Sequence, residues 1–179
     1  MTCKAQSKIN EIILPDPLLP LASALENGPT PASVCMVLAE LFGIQSTEVA
    51  LLRLEQSALR FLYPEHLRNT GAIPISSSAV AAHTALSNKA EIFNNFALVK
   101  HASIFEIISP SDADPEIPLP IQKLMSVPIV EHGESTVLGV IQVSHKGEEL
   151  RFIPDFRREE LHNLELAAQL IATASFFVS

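Results

Sequence analysis

The sequence predicts an α+β fold, in which helices cover a sheet of antiparallel strands. The main observation is the stretch MSVPIVEHGESTVLGVIQVSHK, residues 125–146, which contains two strand patterns around a short Gly-containing turn. Its second strand is apolar on both sides, because Leu138 and Val140 point away from the face on which Ile141 lies. Such a strand is typical of the middle of a sheet that helices cover. Helical patterns near both ends of the chain can supply that cover.

The chain of 179 residues is long enough for one well-covered domain. Residues 1–29 have a different pattern, with four prolines and an Asn-Gly pair that allow at most a short helix around residues 18–25. We therefore expect a loosely attached N-terminal arm at 1–29 and a single domain at 30–179.

Charge and composition exclude several classes of partner. Twenty acidic and twelve basic residues give a formal net charge of −8, which repels phosphate backbones and anionic lipid, so we expect no nucleic-acid partner. No apolar stretch reaches the roughly 18 residues that a membrane span needs, so we expect no membrane partner. Cys3 and Cys35 form neither a disulfide framework nor a CxxC motif, which fits a reducing, cytoplasmic setting.

The first clear helix begins after Thr30, which can cap it, and ends at Gly43. Pro31 suits the first helical position, and apolar residues then recur at helical spacing. Cys35 lies inside this helix without a second Cys or a His nearby in sequence. We interpret it as a buried apolar residue rather than a reactive thiol.

The middle of the chain alternates between strand and helix patterns. Two apolar-rich runs on either side of Gln56-Ser57 predict a hairpin, and a third short strand follows. The stretch SSSAVAAHTALSNK predicts a helix capped by serines and stopped at Asn88. In order, the predicted elements are strands at 47–55, 58–66 and 72–75, a helix at 76–89, an extended segment at 90–96 and a helix at 97–108.

A proline-rich acidic loop, SPSDADPEIPLP, precedes the long hairpin, and we interpret its residues 110–120 as an exposed insertion. The last and longest helix is predicted from Asp155 to about Phe177. Apolar residues occupy more than half of its circumference, which exceeds the stripe of roughly 100° that one sheet face needs. The excess indicates a second apolar contact, either with the first helix or with the equivalent helix of a second chain.

This order of elements resembles a GAF domain, a fold related to PAS domains. The residues that carry the resemblance are SVPIVEHGESTVLGVIQVSHK, with a Val-Pro strand, a Gly-containing turn and an apolar-Gly-Val strand, and FIPDFRREELHNLELAAQLIATA before and in the last helix. The resemblance covers about residues 30–177. It implies a central antiparallel sheet of five or six strands, with the terminal helices on one face and short helices, loops and often a small-molecule pocket on the other.

Three GAF subclasses fit this sequence poorly. Members that bind cyclic nucleotides carry an Asn-Lys-xn-Phe-xxx-Asp-Glu motif, of which only Lys146 and Phe152 match here. Asp155 is displaced by one position, which still allows an ion pair with Lys146. Bilin-binding members need a pocket Cys and an Asp-Ile-Pro stretch, both absent between residues 59 and 124. Members resembling free methionine sulfoxide reductase need cysteines in the pocket half, whereas both cysteines here precede Gln45.

Two candidate sites lie in the predicted helix at 76–89. The hydroxyl and main-chain N–H groups of Ser76, Ser77 and Ser78, at the start of the helix, could hold a carboxylate or phosphate, or the serines could simply cap the helix. His83 could donate to a ligand or bind a metal, but a lone helical His more often bonds a neighbouring carbonyl.

Four further candidates follow that helix. Phe93 and Asn95 end a short strand on the same side, where an Asn amide can fix a ligand or merely suit a turn. His101 and Phe105 lie on the apolar side of the helix predicted at 97–108. Even together, His83 and His101 are two ligands short of a closed zinc site, so we expect no metal.

These observations predict a regulatory, ligand-sensing domain that works as a homodimer through its first and last helices. The sequence identifies no ligand or cofactor, and it contains no output domain, so a separate output protein is one possible partner. The alternative is an interaction module whose pocket is filled by side chains. An enzyme is the third reading, and we do not expect it, because no nucleophile with a base in reach can be assembled from the sequence.

Overall fold

The computed structural model describes residues 14–96 and 119–178, and it confirms the α+β class. Six antiparallel strands form one sheet in the order β3-β2-β1-β6-β5-β4. The strands are β1 Val49–Glu55, β2 Ala58–Tyr63, β3 Ala72–Pro74, β4 Glu91–Phe93, β5 Ile121–Val130 and β6 Val137–Lys146. The helices of more than one turn are α1 Leu19–Glu26, α2 Pro31–Phe42, α3 Val80–Ser87 and α4 Arg158–Ile171.

The long hairpin forms the middle of the sheet, as its apolar pattern predicts. β6 pairs with β5 on one side and with β1 on the other, so Val140 faces Pro128 and Leu52 at once. The second predicted hairpin is also present: β1 and β2 are joined by Gln56 and Ser57, both with positive φ.

Helices α1, α2 and α4 cover one face of the sheet, which we call the helix face. Buried apolar side chains fill the space between them, among them Leu38, Leu51, Met125, Ile141 and Leu164. The short helix α3 covers the opposite face, which we call the α3 face. A separate cluster lies there, built from Leu52, Leu59, Phe61 and the alanines of α3. This is the two-sided arrangement that the resemblance implies.

Local signals account for the ends of α2. The Thr30 and Ser33 side chains form a reciprocal capping box, and Gly43 ends the helix in the left-handed conformation. The expected start of the next helix at Ser76 is wrong. α3 begins at Val80 after Ala79, since Ser77 N–H bonds the Pro74 carbonyl in a turn instead.

The described part of the N-terminal arm is packed into the core. Leu18 and Leu21 are fully buried, and α1 contacts both α2 and α4. The excess apolar surface of the last helix is therefore covered partly by the arm, which the sequence did not indicate. The boundary at residue 30 stays a prediction.

Several expectations fall outside the described residues, namely the helix at 97–108 and most of the loop at 110–120. Within the described ranges, no helix is long and apolar enough to cross a membrane.

Candidate functional site

A row of polar residues crosses the α3 face where three neighbouring strands pair. Gln142 in β6 faces Ser126 in β5, and Ser126 faces Glu91 in the edge strand β4. Gln142 and Ser126 are buried, although most of the sheet around them is apolar. We call these three residues the polar row.

Helix α3 binds to the polar row through Thr84, which is fully buried. The Thr84 hydroxyl donates to the Val80 carbonyl at 3.0 Å, so it must accept from the Ser126 hydroxyl, whose oxygen lies 2.7 Å away. Ser126 in turn accepts from the Gln142 amide at 3.1 Å. The result is a directed chain from Gln142 through Ser126 and Thr84 to Val80, which we call the hydroxyl chain. It fixes α3 above the sheet.

Two buried oxygens beside this chain have no hydrogen-bond partner among the described residues: Ser87 Oγ at the end of α3 and Glu91 Oε2 at the edge of the polar row. The Nε2 atom of His83 lies 3.3 Å from Glu91 Oε2, at ion-pair distance. Buried polar atoms in native proteins are nearly always paired, with other protein groups or with ordered water. The neighbourhood of Ser87 and Glu91 is therefore where this face can accept a donor from outside.

The structure brings some of the predicted site residues together and separates others. His83 and Phe93 lie beside the polar row, His83 against Glu91 and Phe93 in a small cluster with Val80, Phe96 and Leu124. Asn95 is exposed. The ligand-binding roles assigned to these residues stay predictions.

The three predicted serines stand before α3, where Ser76 and Ser78 are exposed and Ser77 accepts from the Ala79 N–H. They therefore do not cap the helix in the expected way. His101 and Phe105 lie outside the described residues.

A second polar cluster lies on the helix face, next to the start of α4. The His145 ring stacks on the Phe156 ring, with centroids 4.2 Å apart and planes 8° from parallel. Burial lowers the pKa of His145; Glu48 and Glu160 act against that shift and Lys123 reinforces it.

The ion pair considered for Lys146 and Asp155 does not form. Asp155 pairs instead with Lys123, which lies on β5, the strand beside β6. Lys146 donates to the Thr47 carbonyl at 3.0 Å. The ion pair that the partial match to the cyclic-nucleotide motif allowed is therefore not present in the structure.

The described cysteine is far from the candidate face. Cys35 is fully buried in the helix-face core, and this burial raises the pKa of its thiol above the ordinary range. No group of three or more His, Cys, Asp or Glu side chains that could hold a metal occurs in the described ranges.

Sequence reasoning missed the members of the hydroxyl chain. Ser126 and Gln142 alternate with the apolar residues that define the hairpin, so period two alone places them on the opposite face. That signal was present in the sequence. The pairing of Ser126 with Glu91 and Thr84 depends on strand order and helix position, which the sequence does not give.

Comparisons with known proteins agree on one fold. A family model described as GAF domain matches residues 30–174. Among solved structures, the GAF domain of an Acinetobacter phosphoenolpyruvate-protein phosphotransferase is similar with a TM-score of 0.63 and 15% identity, covering 88% of this chain and 90% of that one. The GAF domain of the Coxiella burnetii phosphoenolpyruvate-protein phosphotransferase has a TM-score of 0.62 and 13% identity, covering 95% and 94%.

An enzyme shares the same fold. The type II free methionine-R-sulfoxide reductase of Thermoplasma acidophilum is similar with a TM-score of 0.53 and 15% identity, covering 85% of this chain and 95% of that one. No curated protein matches the sequence. At these identities the structural likeness concerns the fold alone.

Proposed function

Because the chain belongs to the GAF domain family, we propose that it is a regulatory domain that senses a small molecule on its α3 face. The ligand would bind beside the polar row, between α3 and the sheet. Its occupancy would shift the population of conformations and so change the packing of the terminal helices. The domain would act in the cytoplasm, as a homodimer, on a separate output protein.

The observation that carries this proposal is a pair of buried oxygens that accept no hydrogen bond from the described residues: Ser87 Oγ, and Glu91 Oε2, which lies 3.3 Å from His83 Nε2. A carboxylate oxygen that is removed from water without a hydrogen bond is costly, so a bound donor would stabilise it. These atoms lie on the face that α3 covers and away from the core of the terminal helices. That separation of binding face and helix face is what a sensor requires.

Native mass spectrometry of the purified protein tests the proposal directly. We expect a reproducible extra mass that disappears on denaturation and is lost in Glu91→Gln, where the acceptor charge is removed. The matched control is Glu134→Gln, in the exposed turn between β5 and β6, which should keep the extra mass. A protein without any extra mass, and without thermal stabilisation by nucleotides, haem or amino acids, contradicts sensing.

We propose that the dimer forms through the outer surface of the helices on the helix face. Met36 on α2 and Leu19 on α1 are 56% and 53% exposed, so both helices offer a large apolar side chain to a second copy of the chain. Met36→Asp should convert a dimer into a monomer in sedimentation equilibrium. Leu86→Asp is the matched control, since Leu86 is 62% exposed on α3, and it should leave the dimer intact. A monomeric parent protein contradicts this surface.

One observation favours the alternative function, an interaction module with a filled pocket. The hydroxyl chain is saturated by its own members, so Thr84 and Ser126 have no spare hydrogen to offer a ligand. A dimer that carries no extra mass in native mass spectrometry, and that Met36→Asp converts into a monomer, would support this module instead of the sensor.

We propose no catalytic role. The reductase that shares the fold is an enzyme, but Cys35 is buried in the helix-face core with a raised pKa and so is a poor nucleophile. Incubation with free methionine sulfoxide and dithiothreitol should give no methionine. Turnover above the rate of a Cys3→Ser, Cys35→Ser double variant would overturn this.

A further inference from the structure

Asn94 joins strand β4 to the segment that leads into α4. Its side-chain amide donates to the Phe156 carbonyl at 3.0 Å, and its side-chain oxygen accepts from the Phe156 N–H at 2.9 Å. The Asn94 side chain thus bonds both main-chain groups of one residue, as a neighbouring strand would. Such a two-point contact fixes position and orientation together.

Phe156 links the contact with Asn94 to the start of α4. Its ring is buried in the helix-face core together with Leu164 of α4, and it stacks on His145. Arg157, the next residue, is the N-cap of α4, and its main-chain N–H donates to the Glu160 carboxylate at 2.8 Å. A shift of the Phe156 main chain therefore moves the first turn of α4.

On the Asn94 side of this contact, strand β4 reaches the α3 face. Phe93 precedes Asn94 and packs in the small cluster of Val80, Phe96 and Leu124, while Glu91 ends the polar row. β4 is a strand of three residues, and in the part of the chain that the structure describes it lies at the edge of the sheet and pairs with β5 alone.

We propose that Asn94 is a positioning residue that carries displacements of β4 on the α3 face to the N-terminus of α4. A regulatory role for this coupling rests on the proposed function, in which Asn94 would supply the route from the binding face to the terminal helix. The physical coupling itself needs no ligand.

Hydrogen exchange measured by mass spectrometry in the full chain tests the coupling. The variant Phe93→Ala loosens β4 from the α3 side only. When Phe93→Ala is introduced alone, we expect exchange faster than in the parent protein, both in β4 and in the first turn of α4. Asn94→Ala alone should speed exchange in that turn by roughly ten- to a hundredfold, as expected from the loss of two hydrogen bonds. In the Asn94→Ala background, Phe93→Ala should then affect β4 alone.

Asn95→Ala is the matched control, because Asn95 is the exposed neighbour of the same residue type. It should leave α4 unchanged and preserve the effect of Phe93→Ala on α4. Exchange of the buried β1 amides reports global unfolding, and it should stay much slower than exchange in β4 and α4, so that the changes measured there come from local opening. If Asn94→Ala does not fold, Asn94→Ser, which can keep at most part of the contact, takes its place.

Two results would overturn the inference: no effect of Phe93→Ala on α4 in the parent protein, or the same effect with and without Asn94. Either can occur whether or not the protein carries a ligand in native mass spectrometry. The fate of the coupling and the fate of the sensing proposal are therefore decided by different measurements.

Discussion

Gly139 in β6 lies against the main-chain carbonyl of Leu52 in β1, so close that a Cβ atom at position 139 has no room. The Phe177 ring closes the same space from the other side. Gly139 pairs with Arg53 in β1 and Ile129 in β5, in the middle of the sheet. The glycine of the apolar-Gly-Val strand is thus required by the close approach of a neighbouring strand.

Gly139→Ala should therefore destabilise the fold strongly. A main-chain carbonyl cannot move aside as a flexible side chain can, so the cost should reach or exceed the upper end of the about 1–3 kcal/mol typical of overpacking. Urea unfolding followed by circular dichroism measures it. Gly133→Ala is the control: that turn glycine has positive φ and open space around it, and should cost about 1 kcal/mol. Equal losses in both variants would contradict the steric explanation.

Breaking the hydroxyl chain at Thr84 should also be costly. Thr84→Val keeps the shape but leaves the Ser126 hydroxyl without its acceptor, for which about 1–3 kcal/mol of stability is expected to be lost. Adding Ser126→Ala should cost less in this background than in the parent protein, because the bond between the two hydroxyls is already broken and only the bond to the buried Gln142 amide remains to be lost. A double-mutant cycle in urea measures the coupling, with exposed Ser135→Ala as control. Additive effects would show that the two hydroxyls do not interact.

The parts of the fold that sequence reasoning found are those with local causes. Thr30, Pro31 and Gly43 mark the ends of α2 through capping and backbone conformation alone, and Gln56-Ser57 sets a hairpin turn. The start of α3 was misplaced for a related reason. Serines suit both helix caps and turns, and here a turn closed by the Pro74 carbonyl takes them.

The parts that could not be found depend on contacts between distant segments. Nothing local in Leu18 and Leu21 shows that they enter the core, because that depends on where α4 lies. Likewise, the choice of Lys123 over Lys146 as the partner of Asp155 depends on strand order in the sheet. Period two could have placed Ser126 and Gln142 on one face, but it could not have supplied Thr84 as their cover.

Removing the Asp155 carboxylate should expose the cost of a buried ammonium. The Lys123 side chain is only 6% exposed while that of Asp155 is 69% exposed, so the pair is buried on one side only. Asp155→Ala should cost roughly 1–3 kcal/mol, less than a fully buried pair because solvent screens the carboxylate. Lys123→Met in the same background should recover stability in urea unfolding.

The control for this pair is Glu149→Ala, which breaks the exposed pair with Arg151. Surface pairs contribute about 0–1 kcal/mol, so little change is expected there. If Asp155→Ala is as harmless as Glu149→Ala, Lys123 keeps its charge solvated by another route.

Acidification should destabilise the protein through His145. Because burial holds its pKa below the ordinary value, the unfolded chain binds this proton more readily than the folded chain. The contribution is complete above the unfolded pKa of about 6.5, falls as the pH drops below it, and levels off below the folded pKa. Urea unfolding at pH 8, 6.5 and 5.5 should show this loss, in addition to that from carboxylates.

His145→Phe isolates the term, since it keeps a flat ring against Phe156 but cannot bind a proton. Its unfolding free energy should fall less between pH 8 and 5.5 than that of the parent protein. His162→Gln, on the exposed strip of α4, should reproduce the parent profile. Parallel profiles for the parent and His145→Phe would mean that Glu48 and Glu160 offset the burial of His145 completely, and that the stack with Phe156 tolerates an imidazolium.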